Sequence, residues 1–175
     1  MRQSVRGRLL GLCVPPVLLS LVDAALTLAG QSADYWDGYY GAVNEMSPTF
    51  NHLLAHHPLA FVAGFAGWVV MFVCLILLLP QTLALTASIA IAMAHTAGAS
   101  TWLLFRFNYG YAYQACCGLF LFTAFALAVG IRKGWRAEAL DDAPLGARWP
   151  LIVRWGAVVA IFAITTYLFL WPRKA

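Results

Sequence analysis

The segment Leu59–Leu79, LAFVAGFAGWVVMFVCLILLL, contains no charged residue. A helix that crosses a membrane needs about 20 predominantly apolar residues, because the hydrocarbon core is about 30 Å thick and each residue advances a helix by about 1.5 Å. The segment therefore predicts a transmembrane helix. Four other segments have a similar length and polarity: Leu9–Gly30, Gln81–Phe105, Tyr111–Ile131 and Pro150–Trp171.

The composition of the whole chain also indicates a membrane protein. Of its 175 residues, 62% are hydrophobic and 10% are charged, whereas soluble domains carry about 25% charged residues. A soluble domain of similar size buries only about 70% of its surface, so it could not hide this much apolar surface from water. We therefore predict one all-α integral membrane domain over residues 1–175. It is a polytopic bundle of about five membrane helices, with the lipid bilayer as its partner.

The basic residues indicate how this bundle is oriented. Arg2, Arg6 and Arg8 precede the first hydrophobic segment, and further basic residues lie between the fourth and the fifth. Because Lys and Arg are enriched in cytoplasmic loops, we predict a multi-pass cell-membrane protein with a cytoplasmic N-terminus. The loop over residues 31–58, which lacks Lys and Arg, is then extracytoplasmic. The net charge of +4 comes from basic residues near helix ends, so we predict no nucleic-acid partner.

Two ionisable residues lie inside predicted membrane helices. Asp23 is about 10 Å below the outer end of the first helix, and His95 is about 15 Å below the outer end of the third. An ionisable group in such a place costs at least about 2.5–3.5 kcal/mol, so both side chains should face the bundle interior, where they could meet. The pair is then either a buried structural hydrogen bond or a metal ligand, proton relay or substrate contact. Thr27, one helical turn from Asp23, shares its face.

The outer loop contains a helix-start pattern. In the sequence from Asn44 to Pro48, NEMSP, Ser47 is a favourable N-cap residue and Pro48 suits the first helical turn. We therefore predict a short extracytoplasmic interfacial helix from Pro48 to about His57.

Two hypotheses concern ligands at this outer surface. His52 and His56 are four residues apart and face the same side of the short helix, so together with Glu45 they could hold zinc. The alternative is that the histidines simply lie at the membrane interface. Arg106 is the basic residue of the second outer loop, and it could pair with an acidic residue of the first loop or contact a substrate anion.

Small residues recur every four positions on the third helix, at Ala90, Ala94 and Gly98. Such spacing lets helix backbones approach closely in lipid. It indicates either packing within the bundle or contact with a membrane-protein partner or a second copy of the chain.

The polar residues of the first third of the chain carry a resemblance. The order Asp23-x-x-x-Thr27 followed by Glu45-x-Ser47-Pro48 resembles a family of small uncharacterised prokaryotic polytopic membrane proteins. Those proteins have an Asp-x-x-x-Thr pattern in the first helix and a Glu-x-Asn-Pro pattern before the second. Ser47 stands where the family pattern has Asn. The resemblance implies that Asp23, Thr27 and Glu45 belong to one site, and it implies no activity.

Three classes of function fit these patterns. The first is a non-enzymatic membrane component with a polar, outward-facing pocket. The second is a metal-assisted intramembrane hydrolase, in which the metal ligands would activate a water and Glu45 would act as base. The sequence lacks a G-x-S-x-G elbow and the nucleotide-binding glycine motifs. The third is a small proton-coupled transporter. The residues predicted to line the pocket are Asp23, Thr27, Asn44, Glu45, His95 and Arg106.

Overall fold

The computed structural model describes residues 9–107, 111–138 and 156. Within these ranges the chain is helical, and the prediction of an all-α bundle is confirmed. The α-helices are α1 (Val14–Ala29), α2 (Ala33–Trp36), α3 (Pro48–His56), α4 (Pro58–Leu78), α5 (Gln81–Thr101) and α6 (Ala112–Glu138). A π-helical turn, Leu9–Cys13, leads into α1, a second, Trp102–Phe107, extends α5, and a short 3-10 helix covers Tyr40–Ala42.

Four of these elements are long and apolar enough to cross a membrane. They are the helices that include Leu9–Ala29, Pro58–Leu78, Leu83–Arg106 and Gln114–Arg132. The first four predicted membrane helices therefore correspond to observed ones. The predicted fifth membrane helix, at about residues 150–171, lies outside the described residues.

Prolines mark where several helices begin. Pro48 and Pro58 occupy the first turns of α3 and α4, where a missing N–H leaves no helical hydrogen bond unmade. His57 is the N-cap of α4, and its Nδ1 accepts a hydrogen bond from the Leu59 amide at 3.1 Å. Pro80 separates α4 from α5, so these two membrane helices form a hairpin with a very short turn.

Hydrogen bonds between helices hold the bundle together where lipid provides no hydrophobic drive for association. Near the start of α1, the Ser88 hydroxyl donates to the carbonyl of Leu12 at 2.6 Å. Between α5 and α6, the hydroxyls of Thr96 and Thr123 lie 2.8 Å apart and both are buried. The opposite faces of the helices expose large apolar side chains, as a bilayer requires: examples are Val62, Val70, Met93, Leu121 and Phe125.

The loop between α1 and α4 packs against one end of the bundle. Tyr35 is fully buried, and its hydroxyl donates to the carbonyl of Leu54 in α3 at 3.0 Å. The Gln31 side chain donates to the carbonyls of Thr27 and Asn44 at 2.8 and 3.0 Å and accepts from the Asn44 amide at 2.9 Å. These contacts fix the Asn44 backbone beside the end of α1, where a cavity opens.

Candidate functional site

A cavity of about 720 Å³ lies among α1, α4, α5 and the loop that leads into α3. All six residues that the sequence predicts for a polar pocket line it. The apolar part of its wall is mainly aromatic. The polar lining residues are Asp23, Thr27, Asn44, Glu45, Ser47, His95, Thr101 and Arg106, and the aromatic ones are Phe50, Phe61, Phe65, Trp68, Trp102 and Phe105.

Three side chains from three helices form a continuous hydrogen-bonded chain in this wall. Nδ1 of His95 on α5 lies 2.8 Å from Oδ2 of Asp23 on α1. Nε2 of the same ring lies 3.3 Å from the indole nitrogen of Trp68 on α4. The predicted inward orientation of Asp23 and His95 thus brings the two side chains into direct contact.

The indole N–H fixes the protonation pattern of this chain. Indole nitrogen can only donate a hydrogen bond, so Nε2 of His95 must accept one and carries no proton. The proton of a neutral imidazole then lies on Nδ1 and is donated to Oδ2 of Asp23, which acts as the acceptor. The opposite tautomer, and a doubly protonated ring, would each place two N–H groups face to face between His95 and Trp68.

The Asp23–His95 pair is accessible from the cavity. Its side chains keep 19% and 12% of their surface exposed, respectively. Oδ1 of Asp23 accepts no hydrogen bond from any described residue. A carboxylate has capacity for about four hydrogen bonds, so Asp23 can accept further donors from a molecule in the cavity.

Glu45 lies in the wall near the start of α3. Its Oε1 accepts from the Ser47 amide at 2.8 Å, and its carbonyl accepts from the Asn51 side chain at 2.8 Å. Burial raises the pKa of the Glu45 carboxyl, the charge of Asp23 raises it further, and the Ser47 amide opposes both. Glu45 is therefore easier to keep neutral than an exposed carboxyl.

Ser47 behaves differently from the expected N-cap. It does occupy the N-cap position of α3, but its hydroxyl makes no capping hydrogen bond. Its Oγ atom is buried without a partner among the described residues. The Glu45 carboxylate instead bonds to the Ser47 amide, so the acid and not the hydroxyl satisfies a free N–H at this helix start.

Arg106 is held by the backbone of α1. Its Nε donates to the carbonyl of Gly30 at 2.7 Å, which satisfies one of the free carbonyls at the end of that helix. The π-helical turn Trp102–Phe107 places Trp102, Phe105 and Arg106 together in the cavity wall. In the described part of the chain Arg106 forms no ion pair with an acidic residue of the first loop.

The structure does not bring the hypothesised zinc ligands together. The rings of His52 and His56 do share a face of α3, with centroids 4.6 Å apart. Neither residue lines the cavity, whereas Glu45 does. Over the described ranges, no group of three His, Cys, Asp or Glu residues is placed to hold a metal ion.

Trp68 is a site residue that the sequence reasoning missed. It lies in the middle of α4, ten residues from either end, whereas tryptophans of membrane proteins concentrate at the two interfaces. A mid-membrane indole N–H needs a partner, since lipid cannot supply one. That argument predicts that the indole N–H of Trp68 has a hydrogen-bond partner. Only the packing of α4 against α5 identifies this partner as His95.

The geometry therefore defines a cavity with a partly unpartnered carboxyl group, an imidazole engaged at both nitrogens and an aromatic wall. Such an arrangement can hold a polar group of a ligand against Asp23 and its apolar part against the rings. Searches of protein-family models, of curated proteins and of solved structures gave no match to this chain.

Proposed function

We propose that this protein is a non-enzymatic membrane component that binds a small amphipathic ligand in its polar cavity. The observation that carries the proposal is the hydrogen-bonded chain of Asp23, His95 and Trp68 in a cavity of about 720 Å³. Ligand sites typically measure about 300–1,000 Å³ and combine a mostly apolar wall with a few polar groups that orient the ligand. The cavity has this size and this composition.

The state of His95 supports binding over acid–base catalysis. A general base must present a free lone pair to the substrate, but Nδ1 of His95 carries the proton given to Asp23 and Nε2 accepts from Trp68. The ring would have to break one of these bonds before it could take up a proton. The metal-assisted hydrolase also lacks support from geometry, since Glu45 is not joined to His52 and His56.

The proposed orientation puts the cavity on the extracytoplasmic side of the cell membrane. The cavity wall includes Glu45 from the first loop, which has no Lys or Arg, and Arg106 near the second. The basic residues Arg132, Lys133 and Arg136 lie toward the other end of α6, which supports a cytoplasmic position for that end. The family resemblance is compatible, because Asp23, Thr27 and Glu45 all line the cavity. A membrane-protein partner or a second copy of the chain remains a separate prediction.

Cysteine accessibility tests the orientation. Thr101→Cys places a thiol in the cavity wall, and Met93→Cys places one on the outer face of α5, since Met93 is 59% exposed and does not line the cavity. A membrane-impermeant maleimide added outside intact cells should label Thr101→Cys above the background of the parent chain and leave Met93→Cys unlabelled, since a thiol needs water to ionise and react. Labelling of Thr101→Cys only after the cells are opened would contradict the proposed side.

Matched small molecules test the binding function. Phenylbutylamine, phenylbutanol and phenylbutyrate share one apolar body and differ in the charge of the end group. Their affinities for the protein in lipid nanodiscs can be measured from the rise in unfolding temperature. At least one of the three should bind the wild-type protein and Ala97→Leu but not Ala94→Leu, because Ala94 lines the cavity and Ala97 does not. The proposal would be refuted if the compounds bound the wild-type protein, Ala97→Leu and Ala94→Leu equally well, or if no compound bound any of these proteins.

Proton-coupled transport is a second candidate. It is favoured by the contact between a carboxylate and an imidazole inside membrane helices, since such pairs commonly mark proton paths. In proteoliposomes, a gradient of the compound that binds would then drive proton movement in the wild-type protein and not in Asp23→Asn. Binding without proton movement in either protein would eliminate transport and leave the binding function intact.

A further inference from the structure

The hydrogen-bond chain makes the carboxyl group of Asp23 a hydrogen-bond acceptor in the cavity wall. Trp68 donates to His95 and His95 donates to Asp23, so every donor in the chain is directed toward the carboxylate. Oδ2 receives this bond, and Oδ1 receives none within the described residues. A carboxylate in a membrane helix is costly unless something polar compensates it. The open Oδ1 side is therefore suited to a donor that carries a positive charge.

The surroundings of Asp23 suit a cation that also has an apolar body. Phe65 and Trp68 line the cavity beside the Asp23–His95 pair, and the rings of Phe65 and His95 have centroids 6.3 Å apart. Trp102 and Phe105 belong to the same cavity wall. The faces of aromatic rings attract ammonium groups within about 6 Å, and they do so more strongly where water is excluded. The carboxyl group of Asp23 and the aromatic rings therefore both favour a ligand with a positively charged group.

The competing possibility is an anion held by Arg106. This guanidinium is tied through Nε to Gly30, which lies about 10 Å further along α1 than Asp23. Arg106 is exposed, so solvent screens its charge more than that of the half-buried Asp23. Glu45 supplies a second carboxyl to the same cavity. The positive charge of Arg106 is thus at the more exposed end of the cavity. The part of the cavity that solvent screens less contains the carboxyl group of Asp23.

We infer that the cavity selects an organic cation: a protonated amine or a quaternary ammonium whose charged end contacts Asp23 and whose apolar body lies against Phe65, Trp68 and Trp102. This inference rests on the proposed binding function and names the chemical class of its ligand. His95 and Trp68 act as positioning residues, because their hydrogen bonds orient the Asp23 carboxyl group without needing to touch the cation.

The three phenylbutyl compounds test the inference in the wild-type protein, so this test does not depend on the folding of a variant. At neutral pH phenylbutylamine should bind at least about tenfold more tightly than phenylbutanol, a factor equivalent to about 1.4 kcal/mol. Phenylbutyrate should bind more weakly than phenylbutanol, because its carboxylate would face Asp23. An amine-to-alcohol affinity ratio of one or less overturns the inference.

Substitutions then show which charged residue determines the preference for the amine. Asp23→Asn keeps the shape of the side chain and should abolish the preference for amine over alcohol, whereas Asp34→Asn, on an exposed residue outside the cavity wall, should keep it. Arg106→Gln, which removes a positive charge from the cavity wall, should raise the affinity for phenylbutylamine relative to that for phenylbutyrate. The inference fails if phenylbutyrate binds best and depends on Arg106, although the binding function would then survive. The binding function itself fails if no compound distinguishes the wild-type protein from Ala94→Leu.

Discussion

The carboxyl group of Asp23 lies against Gly98, at the place where a side chain on that residue would stand. A methyl group on Gly98 would be 2.8 Å from both carboxylate oxygens, a distance that real side chains do not tolerate. Gly98 belongs to the small-residue spacing on α5 that indicated close packing or association. In the structure this position faces the inside of the bundle, and its missing side chain makes room for the charged group that contacts His95.

Gly98→Ala should therefore displace Asp23 and weaken its bond to His95. We expect a loss of about 1–3 kcal/mol in the free energy of unfolding, as is usual for overpacking. Gly118→Ala is the matched control, since a methyl group there meets nothing within 4 Å and should stabilise α6 by up to about 1 kcal/mol. Unfolding in detergent measures both, and equal effects of the two substitutions would show that the carboxylate is not confined by Gly98.

Trp68→Phe should change the hydrogen bonding of Nε2 of His95 without changing the tautomer. The variant keeps an aromatic ring but removes the N–H that donates to Nε2, whereas Asp23 still accepts from Nδ1. Nitrogen NMR of labelled histidine, with the His95 signal identified by its loss in His95→Gln, should show protonated Nδ1 and unprotonated Nε2 in the wild-type protein. The variant should keep the proton on Nδ1 and shift the Nε2 signal, because that lone pair has lost its donor. Detection of protonated Nε2 in the wild-type protein would contradict the hydrogen-bond chain.

The membrane helices could be predicted because the bilayer imposes their length and polarity. The segment predicted as Leu59–Leu79 is the helix Pro58–Leu78, and the interfacial helix expected from Pro48 to about His57 ends at His56. Pro48 marked the start of the interfacial helix, and the uncharged apolar run marked the membrane helix. The inward orientation of Asp23 could be predicted from the cost of a charge in lipid, which is a property of the residue and its depth alone.

Features that depend on how helices meet could not be read from the sequence. The spacing of His52 and His56 correctly put both rings on one face, but a third metal ligand requires tertiary contact, and Glu45 bonds to the Ser47 amide instead. The π-helical turn that sets Arg106 beside Gly30 has no signal in its composition. The partnership of Trp68 with His95 depends on the relative register of α4 and α5.

Tyr35→Phe should loosen the interfacial helix. The variant removes the hydroxyl that donates to the Leu54 carbonyl and leaves that buried carbonyl near the end of α3 with one partner fewer. We expect a loss of about 1–3 kcal/mol and faster hydrogen exchange of the amides in α3. Tyr39 is 69% exposed, so Tyr39→Phe should change neither quantity. Unchanged exchange in Tyr35→Phe would show that the aromatic packing alone holds α3.

Glu45 should make the protein less stable as the pH rises. Burial raises the pKa of this carboxyl above its ordinary value of 4.5, so the folded state holds a proton that the unfolded state has already released. The stabilisation from this group is complete below 4.5 and is lost as the pH rises through the raised pKa of the folded state. Glu45→Gln keeps an acceptor for the Ser47 amide but cannot ionise.

Unfolding free energies measured from acid to neutral pH test whether the stabilisation from Glu45 is lost as the pH rises. The difference between Glu45→Gln and the wild-type protein should grow in favour of the variant across the interval above 4.5 and then level off, because only the wild-type protein must place a charge beside Asp23. Asp37→Asn, which removes an exposed carboxylate of the same loop, controls for the change in net charge. If the wild-type protein instead gained stability relative to Glu45→Gln as the pH rose, the hydrogen bond from the Ser47 amide would outweigh burial, and the pKa of Glu45 would be lowered rather than raised.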